Sequence, residues 1–111
     1  MPYFLAMPNN FTPYDSNTVS LVATTSSSSV QVITLPAETD ITIAAMLVTN
    51  AGNDVVFVKF SNTASPVATT ADMPLLAGSA VLVSVGATPI YAAAISLSAG
   101  NTVYFTPGNG N

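Results

Sequence analysis

The sequence predicts an all-β domain, an antiparallel β-sandwich of jelly-roll-like form with seven or eight short strands. Three observations predict it. The apolar runs are dominated by β-branched residues. No segment repeats apolar residues at a 3.6-residue period over a useful length. Gly, Pro, Asn and Ser break the chain into short pieces at close spacing, as in sandwiches and jelly rolls. The 111 residues fit one domain with its own core.

Residues 1–17 read as an extended arm. Pro2, Pro8 and Pro13 fix φ and restrict the residues before them, which excludes helix. The arm also carries Tyr3, Phe4, Phe11 and Tyr14. Aromatic rings at this density need cover, so these four are the candidate interface residues, packed on their own domain or a neighbour. The β-sandwich follows over residues 18–107, and residues 108–111 form a flexible tail.

Within the sandwich, Val19–Ala23 and Val30–Leu35 are strands around a polar Ser-rich hairpin tip. Ile41–Asn50 is a longer strand, apolar on both faces over much of its length, so both sides should be covered. Residues 50–54, Asn-Ala-Gly-Asn-Asp, supply a hairpin loop. Val55–Phe60 places Val56, Val58 and Phe60 on one face and Val55, Phe57 and Lys59 on the other. Residues 61–78 are mostly loop, with an edge strand around Val67–Thr69 and Asp72 capping a turn. Strands return at Ser79–Val85, Ile90–Leu97 and Thr102–Thr106. The Gly-Ala-Thr-Pro turn at residues 86–89 divides Ser79–Leu97, which is otherwise long and apolar enough to span a bilayer as a helix. The expected core comprises Ile43, Leu47, Val56, Val58, Val83, Ile95, Val103 and Phe105.

Composition removes most function classes. Charged residues make up 5% of the chain, against about a quarter in an average domain. The net charge is −4, with Lys59 the single basic residue. No basic patch exists to neutralise phosphates or dock on anionic lipid, so neither nucleic acid nor membrane is an expected partner. There is no His and no Cys. The side chain best suited to proton transfer near neutral pH is missing, as are thiol chemistry and zinc sites built on those ligands. The nearest approach to a catalytic pair is Glu38 with Asp40, which read as solvated turn residues before a strand. The chain is therefore expected to be no enzyme and to bind neither metal nor cofactor. Lys59 reads as a snorkelling side chain with its stem on apolar surface.

Three stretches, taken together, suggest a family. Leu47-Val48-Thr49-Asn50-Ala51-Gly52 leads into Val56-Phe57-Val58-Lys59-Phe60. Residues 68–79 read ATTADMPLLAGS, and Ile90–Ser96 precedes Thr102-Val103-Tyr104-Phe105-Thr106-Pro107-Gly108. This order resembles small accessory virion proteins of tailed bacteriophages, over about residues 41–110. The resemblance implies a capsid decoration, or cement, protein on the capsid exterior. Such a protein is often a trimer, has the major capsid protein as its partner, and stabilises the head by covering junctions between capsid subunits. Lys59 keeps a basic position of the matched strand, while the low charge elsewhere departs from the family. A tail or head-fibre component is the alternative. A carbohydrate-binding sandwich module is a second, resting on fold analogy alone and lacking any Trp platform.

Overall fold

The computed structural model describes residues 12–13, 18–33, 44–85 and 90–109. Their strands are β1 (Thr12–Pro13), β2 (Val19–Ala23), β3 (Ser28–Ile33), β4 (Ala44–Asn50), β5 (Val56–Ser61), β6 (Met73–Leu75), β7 (Ala80–Val85), β8 (Ile90–Ser96) and β9 (Asn101–Asn109). No helix occurs among the described residues.

The pairing is nested. β2 pairs with β9, β3 with β8, β4 with β7 and β5 with β6, all antiparallel. That is one long hairpin of four successive rungs. It rolls up when β4 also pairs with β9 and β5 with β8. Two sheets result: sheet I in the order β2-β9-β4-β7, and sheet II in the order β3-β8-β5-β6. This is an eight-stranded jelly roll, the architecture expected from the sequence. β1 adds to the same outer edge of β9 as β2, pairing Thr12 with Asn109 and Pro13 with Gly108.

The rolled topology changes three local readings. β2 and β3 lie in different sheets, as do β4 and β5. Residues 24–27 and 51–55 are therefore arches between layers, not hairpin tips. Local turn chemistry is alike in the two cases; which sheet the next strand joins is decided by burial of its apolar face. The edge strand expected at Val67–Thr69 forms instead at Met73–Leu75, with Pro74 in its middle. At the C-terminal end, β9 runs through Pro107 and Gly108 to Asn109, because two neighbours, β1 and β4, pair with it there.

The core lies between the sheets. Met46, Val48, Val103 and Phe105 of sheet I face Val56, Val58, Ala92 and Ala94 of sheet II. Small residues on β8 against the large Phe105 and Met46 follow the alternation that fills a layer without voids. Phe60 meets Phe105 edge to face, with centroids 6.0 Å apart and planes at 87°. Val56, Val58, Val103 and Phe105 occupy the core as expected. Leu47 and Ile95 do not. On β4 the inward set is Met46, Val48 and Asn50, leaving Leu47 half-buried on the outside. On β8 it is Ile90, Ala92, Ala94 and Ser96, which puts Ile95 outside. Both strands are apolar on both faces, so alternation could not say which face points inward. Ile43 lies outside the described residues.

Ala93 is the exception on the outer face of sheet II: it is 0% exposed. Ser28, Ala94, Val58 and Met73 form one row across the sheet. The connection from β5 to β6 reaches the far edge of that sheet, where the Ala68 N–H donates to Ser27 Oγ at 2.9 Å. It then returns to Met73, so residues 62–72 run from one edge of sheet II to the other. The strap is held in a tight turn. Asp72 Oδ2 accepts from the Thr69 N–H at 2.8 Å, and the Asp72 N–H donates to the Thr69 carbonyl at 3.0 Å. This is the capping role expected of Asp72.

Candidate functional site

Four connections meet at one end of the roll: residues 24–27, 51–55, 76–79 and 97–100. Backbone bonds link them. The Ser96 N–H donates to the Thr24 carbonyl at 2.8 Å, Ala51 to Thr102 at 2.9 Å, and Gly78 to Asn50 at 2.9 Å. Gly78 has φ +75°. It is the third residue of a turn closed by the Ser79 N–H on the Leu76 carbonyl at 3.1 Å, and a positive φ at that place favours glycine.

Two buried asparagines hold this end together. Asn50 donates through Nδ2 to the carbonyls of Asp54 and Leu75, both at 2.9 Å, and its Oδ1 accepts from Gly52 N–H at 2.9 Å. Asn101 Oδ1 accepts from the N–H groups of Asn53 at 2.8 Å and Asp54 at 3.1 Å. Its Nδ2 donates to Ser96 Oγ at 3.0 Å and the Ser98 carbonyl at 2.9 Å. Ser96 Oγ donates onward to the Val55 carbonyl at 2.7 Å. Asp54 accepts from the Val55 N–H at 2.8 Å and from Ser98 Oγ at 3.0 Å. No buried side-chain polar atom among the described residues lacks a partner. A fully satisfied buried network makes these loops rigid. The loops carry Leu76 and Leu97 at their tips, 66% and 60% exposed.

The outer face of sheet I is the second surface. Register lays it out in rows: Ser20, Tyr104, Thr49 and Ala80, then Thr18, Thr106, Leu47 and Leu82. Thr18 and Thr106 join hydroxyl to hydroxyl at 3.0 Å. Gly108, Ala45 and Ser84 form a third row, in which Gly108 and Ala45 are already buried and Ser84 is exposed. None of these residues is charged. Tyr104 stands at the centre, 42% exposed. The middle of a protein–protein interface has this character, depleted in charge and marked by aromatic residues.

Among the described residues, no three His, Cys, Asp or Glu side chains gather into a metal-binding group. A depression of about 160 Å³ lies at the opposite end, lined by Phe60, Ser61, Asn62, Ser84, Val85 and Ile90. Small-molecule sites run to roughly 300–1,000 Å³. This one is too small and holds no titratable group. Lys59 is exposed on the outer face of sheet II. The arm residues Tyr3, Phe4, Phe11 and Tyr14, and the carboxylates Glu38 and Asp40, lie outside the described residues. Asn50 and Asn101 were missed in the sequence because a turn asparagine looks the same whether solvated or buried. The one available signal is that each sits at a strand end within two residues of a glycine, Gly52 or Gly100.

Compared with protein-family models, curated proteins and solved structures, the chain matches none.

Proposed function

We propose that this chain is a structural virion protein of a tailed bacteriophage: a capsid decoration protein, assembled as a trimer, that binds the exterior of the major capsid protein shell and covers subunit junctions. The observation that carries the reading is the uncharged outer face of sheet I, which spans all four strands around Tyr104. A protein that works by burying surface needs such a face. Stable interfaces remove about 1,200–2,000 Å² from water, and symmetric copies multiply the gain. Rigid loops with exposed Leu76 and Leu97 add a second contact at low ordering cost. The motif resemblance over residues 41–110 supplies the virion context. A jelly roll alone supplies none.

The test is binding of the purified chain to capsids assembled without it. Saturable binding at a fixed number of copies per capsid subunit, with raised shell melting temperature, supports decoration. Binding confined to tails or head fibres moves the protein elsewhere on the virion. Binding to glycans and not to virions replaces the reading with a carbohydrate module.

A further inference from the structure

We propose that the open edge of β7 receives residues 3–7 of a neighbouring copy as an additional strand, and that this arm exchange closes the oligomer. The inference rests on the homo-oligomeric reading above and names where the arm lands.

A jelly roll of two open sheets has four edges, and exposed edges invite pairing with other chains. Three of the four carry devices that discourage it. The β9 flank is split between two short strands, β1 and β2, with Pro13 in β1. β3 has a register irregularity between Gln31 and Ile33. β6 is three residues long and centred on Pro74. β7 has none of these. Its six residues, Ala-Val-Leu-Val-Ser-Val, include no charge and no proline. They pair with β4 through six consecutive registers without a bulge. Among the described residues, nothing pairs with the other side of β7. An apolar, uncharged, unbulged edge of this length is an aggregation hazard unless it is occupied.

The sequence supplies a matching occupant. Tyr3-Phe4-Leu5-Ala6-Met7 is uncharged, close to β7 in length, and bracketed by Pro2 and Pro8. Proline lacks the N–H needed to continue a ladder, so the added strand stops at both ends and cannot propagate. The arm joins the fold at Thr12–Pro13, on the opposite edge of the same sheet from β7. Donor and acceptor on opposite edges make a head-to-tail contact, which closes into a ring when the rotation allows. Pairing of β7 with its own copy would be isologous and would stop at a dimer. A trimer needs the head-to-tail arrangement.

Absence of native cysteine makes the test direct. Single variants Phe4→Cys, Leu5→Cys and Ala6→Cys are each mixed with a size-tagged Leu82→Cys chain and oxidised mildly. Ser84→Cys, on the same face, replaces Leu82→Cys if that variant melts early. The expected result is a mixed disulfide between an arm variant and the β7 variant, with no cross-link in the β7 variant alone. Removing residues 1–11 should reduce the particle to a single chain, lighter than the 11.3 kDa of the full sequence, by light scattering. Three results overturn the proposal: self-cross-linking of the β7 variant, a bond that forms within a double Leu5→Cys/Leu82→Cys chain but never between mixed single variants, or no bond at any arm position. The cross-link needs no capsid. Shell binding by a protein that fails it would leave the decoration reading standing and remove this one.

Discussion

Replacing Asn101 with Ala isolates the network that fixes the loop end. The substitution deletes the acceptor for two backbone N–H groups, at 2.8 and 3.1 Å, and the donor to Ser96 Oγ and the Ser98 carbonyl. Each neutral hydrogen bond contributes about 0.5–1.5 kcal/mol net, and more where a buried partner is orphaned. Asn53 is exposed and water can serve its N–H; Asp54 and Ser96 are less accessible. The expected loss is therefore roughly 2–4 kcal/mol. Urea unfolding at an m-value of about 2 kcal/mol/M would read it as a midpoint lowered by about 1–2 M. Gly52→Ala provides the companion test. A Cβ there meets Asn101 Cβ at 2.6 Å and Cα at 2.7 Å, atoms that alanine at position 101 retains. Asn101→Ala should therefore fail to rescue Gly52→Ala. Rescue, or an Asn101→Ala variant within about 0.5 kcal/mol of the parent, would refute the account of this end.

Val58→Ala should cost about 1–4 kcal/mol, since Val58 is 2% exposed, while Ile95→Ala on the outer face should cost clearly less; equal melting shifts would reverse the assigned strand faces. Ala93→Leu should destabilise by about 1–3 kcal/mol through overpacking at a site that is 0% exposed, and a neutral result in thermal melts would show that the site is open. Tyr104→Lys should melt within about 0.5 kcal/mol of the parent yet lose shell binding in co-sedimentation; retained binding would take sheet I out of the interface.

The fold class was legible because its signals are local. Short β-branched runs, separated by Gly, Pro and Asn, place β2, β5, β7 and β8 to within a residue or two. On β5 the contrast of Val56 and Val58 with Lys59 also identified the inward face. Where both faces are apolar, as on β4 and β8, the same pattern carries no direction, and Leu47 and Ile95 were assigned inward wrongly. Connections were harder still. Residues 51–55 have the composition of a hairpin loop, but the apolar faces of β4 and β5 are best buried against each other across two sheets. The polar hub escaped notice for a related reason. Asn101 acquires its role only when residues 53–54 and 98 arrive beside it, and these are brought together by the roll. The surface was easier to foresee: a chain with one cation and five acidic residues must present neutral faces, and sheet I does so.

The most direct test of decoration is a symmetry-resolved reconstruction of capsids lacking this chain after incubation with the purified protein. The account predicts jelly-roll density at fixed positions on the shell exterior, at full occupancy, with the outer face of sheet I or the Leu76 and Leu97 loops against the capsid subunits. Bare shells at saturating protein would contradict it.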